Sequence, residues 1–550
     1  MSADIVVKGG TVHDGTGADG VVADVAITDG RITEVGIGLD GRRRIDADGL
    51  VVAPGFVDLH THYDAQVLWD SALTPSSWHG VTTVVAGNCG FSLAPCRPEH
   101  HDLMARTLEH VEAMTLEALD AGIDWDFASF PEYLDAVARR GVVLNYGQLV
   151  GHTAVRLFAM GDAGYDRAAT DEEISDMCRV VGEALDAGAL GFSTSLVSSH
   201  QGAGGRPVPS RQSTHAEVAA LAGVVDVAGA GIVQIAPGPQ FSLDDVFALA
   251  VDHSGPIIFS ELLTRPDGLH WRRLAALDDA RAGGATDLWG LIAVRPLVFQ
   301  FHLRDPFPFN SIPEFAELLG LPDEERRRRF ADESWRRAVG AKVRDGALRW
   351  ESTYFDETDV DDVRGRSVAD VAARRGVDPL DAMLDIALAD DLRTRLRVVL
   401  LNDDQESIDR LLGHESLVVG LSDAGAHASQ LCDAGFATEL LGTYVRERAA
   451  LSLAEGIRKL TSEPAAVLGL TDRGVLRPGA AADVVVFDPA TVAPGPLRRV
   501  WDFPAGTDRL VADEPVGVEH VLVNGVPIRR SGRPVDEGVE RRPGRVLGRA

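Results

Sequence analysis

The sequence predicts an α/β protein: a (β/α)8 TIM-like barrel with a small discontinuous β-sandwich domain formed by both termini and an inserted lid-like segment. Three observations predict this class. Short apolar runs alternate with helical stretches through the middle of the chain, β-branched strands with Gly/Asp turns occupy both ends, and one long segment interrupts the alternation. Near-continuous apolar strands separated by helices are typical of a parallel sheet covered on both faces.

The two ends of the chain resemble each other. Residues 1–54 contain short strands separated by turns, as in VVADVAITDGRITEVG, and residues 475–550 repeat this texture in VEHVLVNGVPIRRSG. This pattern predicts antiparallel strands joined by tight turns. Neither end has enough strands to close a core alone, so we expect one β-sandwich domain built from both. Two independent small sheets are the alternative.

The middle of the chain, residues 55–474, predicts the barrel. Apolar runs from APGFVDLHTH to SLVVGLSDAG, with RVVLLN among them, supply eight strands, and amphipathic segments such as EEISDMCRVVGEALDAGA supply helices. The active site of such a barrel lies at the carboxyl ends of its strands. The segment at about 301–361 is too long for a connecting loop and predicts an inserted lid or subdomain.

The composition and charge of the chain limit the kinds of molecule that it can bind. The chain has 550 residues, 45% of them hydrophobic, a formal net charge of −30 and a pI near 4.9, so it is an ordinary globular protein that would repel nucleic acid and anionic membranes. No apolar run approaches the roughly 20 residues of a membrane span. The four scattered cysteines predict reduced thiols. We therefore expect a cytoplasmic protein with a small-molecule partner; homo-oligomer formation is left open.

His60 and His62 stand two residues apart at the end of the first apolar run. A strand places alternate side chains on one face, and in a barrel that face points inward. Two imidazoles at one strand end form half of a divalent-metal site and suit zinc. A chance pairing among 16 histidines is the alternative.

Asp423 and Cys89 end two further apolar runs, SLVVGLS and VTTVVAGN. The last strand of a closed barrel neighbours the first, so Asp423 could bind a metal, take the proton of a water whose pKa the metal lowers, and return it to a leaving nitrogen. Cys89 could supply a thiolate ligand. The alternatives are a helix cap for Asp423 and a small core residue for Cys89.

Two more histidines have open roles. His427 lies four residues after Asp423, where it either supports a metal ligand or polarises the substrate, or is an ordinary loop residue. His152 ends the third strand, where it either stabilises a developing oxyanion as a catalytic residue or is an inward-facing structural residue.

Several motifs together resemble the amidohydrolase superfamily, in its branch of N-acyl-D-amino-acid deacylases (D-aminoacylases). They are VAPGFVDLHTHYD, GNCG, GHTAVR, GALGFSTS, GLSDAGAH and DRGVLRPGAAADVVVFD, and the resemblance covers nearly the whole chain. It implies a metal-bearing barrel with a discontinuous β-sandwich that hydrolyses C–N amide bonds. It maps the metal-binding HxH onto His60 and His62, the strand-two metal cysteine onto Cys89, and the catalytic strand-eight aspartate onto Asp423.

The chain departs from this family in two ways that concern the metal. Many amidohydrolases bridge two metals with a carboxylated lysine, but the three lysines here, Lys8, Lys342 and Lys459, lie away from the fourth strand. D-aminoacylases also hold a metal with histidines at the ends of strands five and six. Those strand ends offer Gln234, Ser260 and Glu261 instead.

These departures lead us to expect one Zn²⁺ per chain rather than two. His60, His62 and Asp423 would bind it, with Cys89 as fourth ligand or close neighbour. Glu261 is a further candidate, either for the metal or for the substrate.

The family also binds its substrate carboxylate with an arginine just after the strand-eight aspartate, and none follows Asp423 closely. Arg156, Arg211 and Arg295 could replace it, judging only from their positions in the sequence. We assign Arg156 to substrate binding, together with His427 and Glu261. The predicted function is metal-dependent hydrolysis of a linear, non-peptide C–N amide bond, as in an N-acyl-amino-acid deacylase, with Asp423 and His152 as catalytic residues. The alternatives are a cyclic amidase of the hydantoinase or dihydropyrimidinase kind and a catalytically silent barrel that serves as a binding module.

Overall fold

The computed structural model describes residues 2–304, 306–309, 312–318, 321–344 and 348–548. It divides into two compact units, residues 1–294 with 405–550 and residues 295–404. The strands are β1 (Ala3–Val12), β2 (Val21–Thr28), β3 (Arg31–Gly36), β4 (Gly41–Asp46), β5 (Val51–Pro54), β6 (Phe56–Asp58), β7 (His60–Thr61), β8 (Val81–Ala86), β9 (Asn145–Gln148), β10 (Val150–Gly151), β11 (Gly191–Ser195), β12 (Ile232–Ala236), β13 (Ile257–Phe259), β14 (Leu288–Ile292), β15 (Leu297–His302), β16 (Thr353–Glu357), β17 (Arg395–Leu401), β18 (Leu417–Val419), β19 (Leu421–Ala424), β20 (Val484–Phe487), β21 (Leu497–Val500), β22 (Arg509–Ala512), β23 (Val518–Val523), β24 (Val526–Arg530) and β25 (Arg533–Pro534).

Helices follow most of the central strands. They are α1 (His101–Glu112), α2 (Leu116–Gly122), α3 (Phe130–Arg140), α4 (His152–Met160), α5 (Asp171–Asp186), α6 (His215–Ala228), α7 (Leu243–Asp252), α8 (Leu269–Ala282), α9 (Pro313–Ala316), α10 (Asp323–Ala331), α11 (Glu333–Arg344), α12 (Val368–Arg375), α13 (Pro379–Ala389), α14 (Gln405–Leu412), α15 (Phe436–Glu439), α16 (Leu453–Leu460), α17 (Ser462–Val467) and α18 (Asp536–Arg541). None of the helices in the described part of the chain is long and apolar enough to cross a membrane.

Local sequence explains where these helices begin. Before α5, the Thr170 side chain accepts a hydrogen bond from the Glu173 backbone, and the Glu173 carboxylate accepts one from the Thr170 backbone. Such a capping box satisfies two backbone donors that the first helical turn leaves unpaired. Helices α3, α7 and α16 begin with the same device.

The central strands of the first unit pair in parallel. The pairings run β6–β8–β9, then β10–β11–β12–β13–β14–β18, then β19–β7. Single residues separate β6 from β7, β9 from β10 and β18 from β19: Leu59, Leu149 and Gly420. Every residue of β8, β11 and β12 is buried, as expected for strands that helices cover. The predicted α/β class is therefore confirmed.

Strands from both ends of the chain form one nine-stranded sheet, in the order β25-β24-β23-β20-β5-β1-β2-β3, with β4 paired to β1. The antiparallel β5–β20 pair joins the two ends, with Val52 opposite Val486. Val7, Val25 and Val484 contribute to its buried apolar core. Two independent terminal sheets are excluded, because a single ladder contains both ends.

The second unit contains an antiparallel sheet, β15-β17-β16, and helices α9 to α13. It includes the run RVVLLN, which the sequence analysis counted among the barrel strands. That assignment is corrected, because Val398 and Leu396 of β17 pair with Phe299 and Phe301 of β15. The second unit, residues 295–404, contains the predicted insertion of about 301–361. Residues 305, 310–311, 319–320 and 345–347 of the predicted insertion lie outside the described residues.

Candidate metal centre

His60 and His62 lie at the carboxyl end of the first central strand, and both side chains are buried. Their ring centroids are 5.4 Å apart. Because β19 pairs in parallel with β7, Asp423 meets them: its Oδ1 lies 3.2 Å from His60 Nε2 and 3.7 Å from His62 Nε2. Two imidazoles and one carboxylate oxygen from two neighbouring strand ends therefore face each other.

Cys89 joins this group from the loop after β8. Its Sγ lies 3.5 Å from His60 Nε2, and one ligand atom each from His60, His62 and Cys89 lie within 4.8 Å of one another. The Cys89 backbone is left-handed (φ +53°). The next residue, Gly90, packs closely against β11: a Cβ atom at this position would lie only 3.1 Å from the Cα of Thr194. A glycine at this position lets the loop bring the thiol inward.

The charges of this cluster depend on one another. Burial alone lowers the pKa of His60, but Cys89 and Asp423 outweigh it and raise the pKa to about 9. Burial likewise opposes the rise of the His62 pKa, which Glu112 and Cys89 bring well above its usual range. Conversely, burial raises the pKa of Cys89 and Asp423, yet the two histidines bring the Cys89 value down and the Asp423 value to about 2. The ionised Cys89 and Asp423 therefore need a positive charge between them and the two histidines.

A metal ion fits this requirement. Nitrogen and sulfur ligands of this kind suit Zn²⁺, whose sites combine histidine, cysteine and carboxylate ligands. A bound cation would replace the protons that otherwise balance Cys89 and Asp423. His60, His62, Cys89 and Asp423 are the residues able to hold it.

Glu112, the last residue of α1, lies behind this cluster. Its buried carboxylate is 3.0 Å from His62 Nδ1, on the ring edge opposite Asp423. A carboxylate in this position orients a ligating imidazole and raises its basicity. The sequence analysis missed Glu112, since a glutamate in an amphipathic helix carries no local signal of this role.

Strands five and six contribute a hydrogen-bonded link in place of histidines. Gln234 Oε1 accepts a hydrogen bond of 2.7 Å from the Cys89 backbone N–H, and Gln234 Nε2 donates one of 2.6 Å to Ser260 Oγ. Glu261 is half-buried at the end of β13, and burial followed by the charge of Asp423 raises its pKa to about 7. Glu261 therefore lies close enough to the cluster for the charges of Asp423 and His60 to act on it.

Two further histidines, His427 and His200, lie near the cluster. Burial lowers the pKa of His427, opposed by the nearby charges of Glu112 and Asp423. His200, which the sequence analysis did not single out, accepts or donates a 2.7 Å hydrogen bond between Nδ1 and Ser195 Oγ. Burial, His427 and His62 lower the His200 pKa to about 3. Its position after the strand-four run GFSTS was the available signal.

His152 and Arg156 occupy a different place from the one the sequence suggested. His152 Nδ1 lies 2.8 Å from Thr194 Oγ1 and its Nε2 lies 2.8 Å from Glu217, which also pairs with Arg156. The side chains of His152, Arg156 and Glu217 are fully buried. Both ring nitrogens of His152 and the charge of Arg156 are therefore engaged by Glu217 and Thr194, and the structure does not bring these two residues to the metal cluster.

Two histidines, a thiol and a carboxylate meet at the carboxyl ends of parallel strands. The protein is therefore an α/β fold with a candidate metal-binding centre. The chain belongs to the amidohydrolase family, which matches residues 43–255 and 337–529. This confirms the resemblance inferred from the sequence.

Curated and solved relatives share nearly full length with the chain. N-acyl-D-glutamate deacylase of Alcaligenes xylosoxydans xylosoxydans is 30% identical over 99% of this chain and 96% of its own length. N-acyl-D-aspartate deacylase of the same organism is 31% identical over 99% and 95%. The crystal structure of N-acyl-D-glutamate deacylase from Bordetella bronchiseptica, complexed with zinc and a phosphonate mimic of the tetrahedral intermediate, has a TM-score of 0.69 and 29% identity, covering 100% of both chains.

Proposed function

We propose that this protein is a zinc-dependent deacylase that hydrolyses the amide bond of N-acyl amino acids, with N-acyl-D-amino acids as its substrate class. The observation that carries the proposal is the convergence of His60, His62, Cys89 and Asp423 at neighbouring strand ends. The names of the full-length relatives support the substrate class. A catalytically silent barrel would be expected to lose such ligands, so the retained cluster favours the enzyme.

The proposed architecture is a closed (β/α)8 barrel with a terminal β-sandwich. The parallel pairings support closure, because β6 continues into β7, β7 pairs with β19, and β19 continues from β18 at the other end of the six-stranded sheet. The nine-stranded terminal sheet supports one discontinuous domain.

One zinc ion would be held by His60, His62 and Asp423, with Cys89 as the fourth ligand. When bound, Zn²⁺ polarises an amide carbonyl and lowers the pKa of water. Asp423 takes up the proton of the attacking water and transfers it to the leaving amide nitrogen. An ionised carboxylate can accept that proton, and its Oδ1 lies 3.2 Å from His60 Nε2, within the proposed zinc site.

The remaining residues position the reacting groups. Glu112 orients the His62 ring, and Gln234 fixes the backbone of Cys89. His427 and Glu261 border the cluster and would contact the substrate. For His152 the hydrogen bonds to Thr194 and Glu217 support a positioning role within the buried core rather than direct contact with substrate.

The test combines metal content with turnover. We expect purified protein to contain about one zinc per chain. His60→Ala should remove it together with hydrolysis of N-acetyl-D-amino acids. His110→Ala, which changes an exposed histidine of α1, is the matched control and should retain both. Unchanged metal content in His60→Ala would contradict the proposed centre.

A substrate panel then tests the reaction. N-acetyl-D-amino acids, their L-enantiomers and the cyclic amides hydantoin and dihydrouracil should be compared at equal concentration. The proposal requires turnover of the linear D-substrates. Turnover of the cyclic amides alone would establish the cyclic amidase instead, and no turnover by zinc-loaded protein would favour a binding module.

A further inference from the structure

An N-acyl amino acid carries a free carboxylate, so a site that discriminates such a substrate needs an accessible positive charge beside the metal cluster. This inference rests on the proposed function. Three arginines were named above as candidates for this charge. Arg156 is fully buried and paired with Glu217, and Arg295 belongs to the unit of residues 295–404. Arg211 remains.

Arg211 lies in the loop between β11 and α6 and is half-buried. The only hydrogen bond of its side chain within the described part of the chain runs from one terminal nitrogen to the backbone oxygen of His200, at 3.1 Å. Its buried Nε has no hydrogen-bond partner there. It makes no ion pair with any described carboxylate, and burial is the cause of its lowered pKa. A partly desolvated guanidinium with an unpaired buried donor favours the binding of an anion beside it.

The His200 contact places Arg211 next to the reaction centre. The His200 ring packs against Phe91, two residues from Cys89, with centroids 5.2 Å apart. His200 also bonds Ser195 at the carboxyl end of β11, and the charges of His427, His62 and Asp423 act on it. Arg211 and the cluster residues His62, Asp423 and His427 thus all lie near His200.

Two other arginines near Glu261 have carboxylates beside them. Arg265 lies 3.5 Å from Asp267, and although burial and Arg265 lower the pKa of Arg273, the nearby charges of Glu261 and Asp267 oppose that shift. Arg206, in the same loop as Arg211, pairs with Asp162 at 2.7 Å and lies over the Tyr165 ring. Arg211 differs from these in having no acidic neighbour among the described residues.

We propose that Arg211 binds the α-carboxylate of the N-acyl amino acid, in the place of the arginine that is missing after Asp423. The planar guanidinium offers two parallel donors that match a carboxylate, and the hydrogen bond to the His200 backbone holds it in position. The substrate amide would then extend from Arg211 toward the metal cluster past His200.

Binding of a non-hydrolysable analogue tests this without turnover. N-methylsulfonyl-D-leucine and its carboxamide are titrated by calorimetry into wild-type protein with its metal, into Arg211→Gln and Arg211→Lys, and into the matched loop control Arg206→Gln. Wild type should bind the acid more tightly than the amide. Arg211→Gln should weaken acid binding about 10- to 100-fold with little change for the amide, as expected for a charged hydrogen bond.

The controls separate the outcomes. Arg211→Lys should keep part of the preference for the acid, because it retains the charge, and Arg206→Gln should keep all of it. Equal loss of acid and amide binding in Arg211→Gln, no loss of either, or absence of any acid preference in wild type would each overturn the assignment. If the acid preference depends on Arg211 but no N-acyl amino acid is hydrolysed, the carboxylate site stands and the proposed reaction fails.

Discussion

The side-chain oxygen of Gln234 accepts a hydrogen bond from the backbone N–H of Cys89 across 2.7 Å, while its amide nitrogen donates to Ser260. Gln234 of β12 therefore links the loop after β8 to the end of β13, the two strands β12 and β13 being those whose ends lack a histidine. The left-handed backbone of Cys89 makes this support important, because few L-residues adopt that conformation without tertiary contacts. Gln234 holds the thiol toward His60.

Gln234→Leu should consequently weaken metal binding. Loss of the hydrogen bond frees the Cys89 loop, and we expect the dissociation constant for zinc to rise about 10- to 100-fold, as for other residues that orient a ligand. Competition with a chromophoric chelator measures this. Gln240→Leu, on an exposed position after the same strand, is the control and should leave the affinity unchanged. Equal affinities in both variants would show that Gln234 does not support the site.

Glu112→Gln should lower zinc affinity for a different reason. The carboxylate lies 3.0 Å from His62 Nδ1, and its removal reduces the basicity of the ligating ring. We again expect about a 10- to 100-fold rise in the dissociation constant, measured with the same chelator. Glu109→Gln, in the same helix but partly exposed, provides the comparison. A role of Glu112 limited to packing would leave the two variants alike.

Asp423→Asn should separate proton transfer from metal binding. The amide cannot accept the proton of the attacking water, so kcat should fall about 10²- to 10⁴-fold. Because Asp423 is itself a proposed zinc ligand, the variant is first reloaded with zinc, and mass spectrometry checks that wild type and variant carry equal zinc when kcat is compared. Asp48→Asn, in an exposed turn, should retain full activity. If Asp423→Asn retained the wild-type kcat, Asp423 would not be the group that transfers the proton.

Glu217→Gln should destabilise the fold by about 3–5 kcal/mol, because it breaks a buried pair and leaves Arg156 without its counter-charge. Burial raises the pKa of Glu217, but the hydrogen bond from His152 and the charges of His152 and Arg156 outweigh it and bring the value from 4.5 to about 2. The carboxylate therefore stabilises the folded state fully above pH 4.5, and this contribution is lost as the pH falls toward 2.

Urea unfolding at pH 7 and pH 3.5 measures this pH dependence. The difference in unfolding free energy between wild type and Glu217→Gln should be larger at pH 7 than at pH 3.5. Glu172→Gln, at an exposed position of α5, should show no such difference. A difference that stays constant with pH would assign the effect of Glu217 to packing rather than to its charge.

Much of the centre was predictable because its signals are local. A spacing of two in a strand places His60 and His62 on one face, and an apolar run that ends in Asp423 or Cys89 marks a strand end. The run RVVLLN shows the limit of this reasoning. Apolar composition predicts a strand but not its partner, and β17 pairs with β15 and β16 in the second unit.

Residues that act through long-range contacts escaped the sequence analysis. Glu112 and His200 reach the cluster only because their elements pack beside it. Arg156 was expected at the substrate, yet Glu217, 61 residues further along the chain, neutralises it in the core. Nothing in the local sequence around an arginine reveals whether a distant carboxylate pairs with it.

The sequence by itself determined the α/β class, the amidohydrolase membership, and the ends of strands at which His60, His62, Cys89 and Asp423 lie. Strand periodicity and chain order carry that information, because both are properties of neighbouring residues. The tertiary structure alone decided which charges are balanced. It paired Arg156 with Glu217 and left Arg211 without a described carboxylate, since an electrostatic partner is set by distance in space and by exclusion of water.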